Sequence, residues 1–493
     1  MVTAMPPVAP RLAPPVASRR LVDTPRRADT EGVINDPDEQ STAVPLSSVL
    51  SGLSAALDIT EGHPPGHALR SCLISMHLAR ALQLPDTDAS DLFYAALLKD
   101  AGCSSNAGRV FELFGGPDHE TKRALWLRDW RRLSQKMRYA WETAEPDGRL
   151  PARLRRLWRL ASAGSSASRE LFEVRCARSA EIARALGCSE ATAAAVLTMD
   201  EHWDGGGHPY GLRGHDIPLA GRIIGLAQVV EIFWSLGGPA RAIEVARARR
   251  GRWFDPELVH CLCRTADAAL WRSLEADDPA GAIAAVEPPA AAVLATRARL
   301  DDIAAAFAWV IDAKSSFTFR HSERVAALAI QIGAAMGVPA AAQVRLRRAA
   351  LLHDIGKLAV PNSILDKPGP LTAAEWTRVR EHPLHTLHIL RRVPVFSEFA
   401  VDASQHHERL DGRGYPFAVP GSALSPAARI LCVADVIDAL LSDRPYRPGL
   451  SLDEVRRMLA AERGTAFCPE VVDAALATIG ERPPALHRSD SIA

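Results

Sequence analysis

Five histidines and two aspartates in the second half of the 493-residue chain could together hold metal: His321, His353, Asp354, His382, His406, His407 and Asp435. Divalent manganese or iron accepts mixed imidazole and carboxylate sets of this kind. Seven ligands exceed what one ion takes, but they suit two ions that share a bridging carboxylate. Adjacent helical residues point about 100° apart, so His353 and Asp354 serve one ion only awkwardly. They fit if Asp354 lies between two ions and His353 takes one of them. Lys357 follows His353 by one turn and falls on the same face. Asp435 and Asp438 also share a face. His406 and His407 sit just ahead of "DGRGYP", whose glycines and proline end any helix and let neighbouring side chains converge.

Helices must carry these groups. "LRSCLISMHLARALQL" (69–84), "AEIARALG" (180–187), "ERVAALAIQIGAAMG" (323–337) and "LDEVRRMLAAE" (452–462) all place apolar residues at i, i+3, i+4 and i+7. Alternating strand patterns are nearly absent, so the expected class is all-α. The length calls for two or three domains. Residues 275–293 and 481–493 read as linkers or weakly held helices. The expected division is a leader at 1–46, a first domain at 47–275, a linker at 276–300, a second domain at 301–480 and a tail at 481–493.

The bulk numbers narrow the function. Acidic and basic residues balance at 58 each, which argues against a general polyanion binder such as a nucleic-acid-binding protein. Only six of the basic residues are lysine. The eight scattered cysteines, Cys261 and Cys263 the nearest pair, are expected to be reduced core thiols, which points to the cytoplasm. No continuous apolar run approaches the ~18 residues of a membrane span, so no membrane partner is expected. The Pro-, Ala- and Arg-rich start is expected to be a disordered leader.

The chain also repeats itself. His321 and His353 are 32 residues apart, and so are His67 and Lys99. "HERLDGRGYPF" (407–417) matches "DEHWDGGGHPYG" (200–211), and "RILCVADVIDALLS" (429–442) matches "RIIGLAQVVEIFWS" (222–235) without a gap. The first copy carries about 47 extra residues, among them Trp126, Trp130, Trp141 and Trp158, expected as core and packing anchors. His321 is matched by His67 and Asp354 by Asp100. Lys99 stands for His353, Cys103 for Lys357, Met199 and Asp200 for His406 and His407, and Gln228 for Asp435. The counterpart of His382 falls in the extra segment and is not placed. A metal pair cannot survive these changes, and Lys99 is expected to pair with Asp100 or another carboxylate. His202 and His208 are expected as surface or cavity residues.

Residues 300–475 resemble an HD-GYP domain, the branch of the HD phosphohydrolase superfamily that hydrolyses cyclic di-GMP. The resemblance rests on "HSER" (321–324), "HDIGK" (353–357), "KPGPLTAAEW", "HP" at 382–383, "HHE", "GYP" at 414–416, "ADVIDAL" and "DRPYR" at 443–447. It implies that His321, His353, Asp354 and Asp435 bind one metal and His382, His406 and His407 the other, with Asp354 bridging. The two ions, iron or manganese, would activate the hydroxide that opens cyclic di-GMP to pGpG, with GMP as a further product. Lys357 would sit beside the attacked phosphate. Tyr415, Arg444 and Arg447 would contact the nucleotide, and Asp438 would border metals and substrate. Where some members carry a glutamate for a third metal this chain has Phe317, and Thr386 replaces a usual glycine. The first copy then reads as a degenerate HD-type domain, with His67 and Asp100 as structural leftovers. It is expected to pair with the catalytic copy or to sense a ligand; a homodimer is the other arrangement expected. The alternatives are an HD-type phosphohydrolase for another nucleotide and a nucleotide-sensing regulatory protein.

Overall fold

The two copies build the same helices from the same spacing. His67–Ala81 and His321–Ala335 are each 15 residues long, and Asp86–Leu98 and Ala340–Leu352 are each 13. A buried carboxylate anchors the start of each histidine-bearing helix. Asp58 accepts from the Gly66 and Ala68 amides, and Asp312 accepts from the amide and hydroxyl of Ser322. Those amides are among the first donors of a helix, which have no partner within it. Burial pushes Asp312 up to about 6 against the hydrogen bonds that favour its charge.

A computed structural model describes residues 44–479 apart from 130–131, 147, 277, 290–292, 316–317 and 444–447, and gives no side chains for 163–168. The described fold is all-α, as expected; its one sheet is the two-residue pairing of Val44–Pro45 with Leu294–Ala295. Most of the expected leader and tail, with Trp130, Phe317, Arg444 and Arg447, lie outside the described residues. The stretch expected as a linker is folded in. Ile283 is fully buried, and Glu287 accepts from the Ser47 hydroxyl at 2.5 Å and the Tyr94 hydroxyl at 3.1 Å.

The extra segment of the first copy forms the helices Ala107–Phe114, Asp118–Trp126 and Leu133–Thr143 and the first part of the long helix Leu150–Ala185. Its tryptophans are not all anchors. Trp126 is buried, but Trp141 and Trp158 are 46% and 71% exposed. All eight cysteines are free thiols, and Cys261 and Cys263 are half-buried. One helix, Leu219–Arg249, is long and apolar enough to cross a membrane, although no continuous run announced it; 67% of its apolar window is buried in the core, and it kinks at Gly237 and Gly238.

The copies lie within one compact unit, and buried groups join them. Asp118, from the extra segment, accepts from Lys314 Nζ at 2.7 Å and from the Asn362 amide at 2.9 Å, while Asn362 Nδ2 donates to the Lys314 carbonyl at 2.6 Å. Asp118 and Lys314 are both buried. Removing one partner of such a pair strands the other charge. Asp118→Ala is expected to lower stability by about 3–5 kcal/mol, read as a shift of the urea unfolding midpoint.

Candidate metal centre

Seven side chains drawn from five separate segments meet at one point of the second copy. His321 opens its helix, His353 and Asp354 follow the last residue of Ala340–Leu352, and His382 begins the helix His382–Leu390. His406 and His407 lie just past Ala400–Ser404, and Asp435 is inside Pro426–Leu441. All are buried except His407, which is half-buried. Four of the rings are fixed by what Nδ1 meets. His353, His382 and His406 face the carbonyls of Ala350, Val379 and Ala403 at 2.6–2.7 Å, and a carbonyl can only accept, so Nδ1 donates. His321 Nδ1 meets Asp438 at 2.7 Å. Each Nε2 is thereby turned inward, the arrangement by which outer partners orient metal-binding histidines.

The inward atoms form two groups around Asp354. Near Oδ2 lie His321 Nε2 at 3.5 Å and His353 Nε2 at 3.4 Å, with Asp435 Oδ1 at 3.3 Å from His321 and 3.7 Å from His353. Near Oδ1 lie His382 Nε2 at 3.3 Å and His406 Nε2 at 3.6 Å. His407 completes a cluster with His382 and His406. Two ligands at right angles, each ~2.1 Å from one ion, stand ~3.0 Å apart, so these spacings suit a divalent metal after slight contraction. His321 Nε2, His353 Nε2 and Asp354 Oδ1 are buried with no hydrogen-bond partner among the described residues. Such atoms are costly unless something fills the space between them. The donor set fits metal.

The electrostatics agree. Burial, with like-charged neighbours, holds His406 well below the usual imidazole range and lowers His407 to about 3, so both are neutral and ready to ligate. Burial alone would also lower His321, but the carboxylates of Asp354, Asp435 and Asp438 beside it outweigh it and raise it. Burial would raise Asp354, yet His353, Lys357 and the hydrogen-bonding histidines hold it well below the carboxylate range. Both carboxylates of the pocket are therefore charged and matched to cations.

The HD domain family model matches residues 147–258 and 306–471. A 3′3′-cGAMP-specific phosphodiesterase of Vibrio cholerae is 40% identical over 427 residues, which is 86% of this chain and 93% of that one. The chain belongs to the HD domain family. Within it, the chain is an HD-GYP protein and a metal-dependent phosphodiesterase. A cyclic di-GMP phosphodiesterase of Pseudomonas aeruginosa is 41% identical over 168 residues, 34% of this chain and 40% of its own length. The crystal structure of a cyclic GMP-AMP-specific phosphodiesterase of V. cholerae superposes with a TM-score of 0.61 at 35% identity, covering 88% of this chain and 98% of that one.

The other candidate residues of this HD-GYP site divide. Lys357 Nζ reaches Asp354 Oδ2 at 2.5 Å and is only partly buried, at the edge of the ligand cluster. The Tyr415 ring stacks on His407 with centroids 4.7 Å apart. Asp438 borders the ligand cluster through His321. It is buried, and besides His321 it takes the Arg324 guanidinium at 2.6 and 3.0 Å, so it acts by orienting a ligand. Arg380 lies over the Tyr415 ring at 5.4 Å. Sequence reasoning missed it; its place two residues before His382 was the available signal. Thr386 Oγ1 accepts from the Gly356 amide and donates to the His353 carbonyl at 2.8 Å, tying the "HDIGK" turn to the His382 helix.

The same tie reveals the missing counterpart in the first HD copy. Gly356 has no room for a Cβ because it lies on the His382 carbonyl, and Gly102 lies in the same way on the carbonyl of Arg175. The Gly102 amide donates to Ser179 Oγ at 2.8 Å, as Gly356 does to Thr386. Arg175 therefore stands where His382 stands. Its guanidinium is buried and binds Asp200, with Glu61 at 3.2 Å. Lys99 pairs with Asp100, as expected, and Lys122 of the extra segment lies 3.5 Å from Glu61. His67 pairs with Glu231. Three buried cations thus occupy the region that metal takes in the second copy. Among the described residues, every histidine-and-acid group close enough to share an ion lies in the second copy. His202 and His208 line a cavity beside Asp200 and Gln228.

Proposed function

We propose that this protein hydrolyses a cyclic dinucleotide, with 3′3′-cGAMP preferred. In this reading His321, His353, Asp354 and Asp435 would hold one divalent ion and His382, His406 and His407 a second, with Asp354 placed between the two groups. The observation that carries it is the convergence of inward-facing, unpaired Nε2 and Oδ1 atoms on the two sides of one carboxylate. When bound, the ions supply a water of lowered pKa and positive charge opposite the phosphate oxygens. The water oxygen bonds to phosphorus, the bond from phosphorus to O3′ breaks, and O3′ leaves with a proton, so the ring opens to a linear dinucleotide with a 5′-phosphate. Lys357 moves from Asp354 to a non-bridging phosphate oxygen, where an ammonium adds charge as the transition state forms. Tyr415, backed by His407 and Arg380, offers a ring on which a purine stacks. Arg444 and Arg447 are assigned to phosphate or a guanine edge by the HD-GYP resemblance.

The preference for 3′3′-cGAMP is supported by extent. The relative that matches both copies is specific for it, whereas the cyclic di-GMP phosphodiesterase of P. aeruginosa matches about a third of the chain. Cyclic di-GMP is the second reading. The test is turnover of both substrates by Mn²⁺- or anaerobically Fe²⁺-loaded protein, followed by chromatography. A kcat/KM at least about tenfold higher for 3′3′-cGAMP, about 1.4 kcal/mol in the transition state, is expected. Equal or reversed values replace the preferred substrate, and no cleavage of either removes cyclic dinucleotides.

A further inference from the structure

The extra segment of the first copy encloses a cavity of about 560 Å³ that the phosphodiesterase reading does not use. Its walls are apolar: Phe114, Met137, Trp141, Leu157, Leu160 and Phe172. Its rim is open, since Leu133 and Met137 are 71% and 65% exposed. Glu61, Lys122 and Arg175 gather at one end. Arg175 and Asn106 line it, and both are buried. Asn106 Nδ2 donates to the Leu171 carbonyl at 3.1 Å, which fixes the amide and leaves Oδ1 with no partner among the described residues. Arg175 Nε likewise has none. The charged side chains of the lining are Lys122, Lys136, Arg175 and Glu61; Glu61 and Asp200 balance Lys122 and Arg175, which leaves Lys136 as the uncompensated cation. Lys136 makes no ion pair among the described residues and sits on the exposed face of Leu133–Thr143.

We infer that this cavity binds a monomeric anionic amphiphile, an alkyl-chain carboxylic acid with its chain along the apolar walls and its head toward the basic end. The volume lies in the range of small-molecule sites. An apolar chain removes from water a surface that otherwise faces it, at about 0.8 kcal/mol per methylene. The carboxylate adds charge-assisted hydrogen bonds at Arg175 Nε or Lys122; in its protonated form the same head donates to Asn106 Oδ1. The assignment is independent of the phosphodiesterase chemistry, because no metal ligand lines this cavity.

A free acid and the lipids of a bilayer share this chemistry, so the experiment separates them. The full chain is titrated with dodecanoate below its micelle concentration by calorimetry, with Trp141 fluorescence in parallel, and then with dodecanol and with phosphatidylglycerol vesicles. Saturable binding of one dodecanoate per chain, weaker for dodecanol, is expected. Leu160→Asp, which puts a charge in the wall, is expected to weaken dodecanoate by at least about tenfold, and Lys136→Glu by about threefold with little change for dodecanol. Far-ultraviolet circular dichroism verifies that both variants are folded. No saturable binding, binding unchanged in both folded variants, or binding to vesicles without binding of the monomer overturns the assignment.

Discussion

Asp354→Ala is expected to leave a folded protein that retains little metal and turns over substrate at least about a thousandfold more slowly, a loss of about 4 kcal/mol in the transition state. The size follows from position. Asp354 lies between both ligand groups, Oδ2 toward His321 and His353 and Oδ1 toward His382 and His406. Losing one outer ligand removes one donor from one ion, whereas losing Asp354 removes a donor from each and a buried negative charge between them. Among the histidines that remain, burial keeps His382, His406 and His407 neutral, so they repel cations less than charged ones would but cannot replace a carboxylate. Two readouts separate the causes. Metal content measured by elemental analysis after gel filtration is expected to fall together with turnover. Full metal content with lost turnover would remove Asp354 from the ligand set and leave it a role at the substrate alone. Folding is checked by the thermal midpoint, since Lys357 loses its partner but is partly exposed and can turn to water.

The contrast between the copies explains what the sequence could and could not reveal. The seven clustered side chains were legible as candidates because a metal site demands particular residue types, and those types stand out wherever they lie. The repeat was legible because helix spacing preserves register. The partners of Asp438 were not legible, because spacing gives the face of a helix but not the partner across it; His321 Nδ1 and Arg324 take up the carboxylate. Thr386, a departure on paper, became a tie through a hydroxyl that glycine lacks. Trp141 and Trp158 were expected inside because aromatic area favours burial, yet the extra segment presents them at its surface. Glu61 and Lys122 were invisible as part of the first copy's centre, because nothing in the second copy's pattern points to them. Arg175 could have been found. It precedes Asp200 by 25 residues, as His382 precedes His407 by 25, so the extra residues all fall before it.

That equivalence makes the second prediction. His382→Ala and Arg175→Ala remove side chains from matching places, and opposite outcomes are expected. His382→Ala lowers metal content and turnover, with a small change in the stability of the metal-free protein, since a neutral imidazole leaves no charge behind. Arg175→Ala leaves metal content per folded chain unchanged and costs about 3–5 kcal/mol of stability, because Glu61 and Asp200 lose their shared cation inside the protein. The penalty has a pH signature. Burial alone would raise Glu61, but Lys122 and then Arg175 outweigh it and lower it from 4.5 to about 2. A carboxylate depressed in the folded state contributes stability that is complete above its unfolded value and is lost as pH falls through its folded one. The gap between parent and Arg175→Ala in urea unfolding is therefore full at neutral pH and narrows as pH falls from about 4.5 toward about 2. A gap that stays constant over that range would mean the loss is one of packing against Trp126 and Phe172, over whose rings the guanidinium lies at 5.6 and 5.1 Å. A gap that narrows would mean that buried cations hold the first copy together in the place where the second copy uses metal.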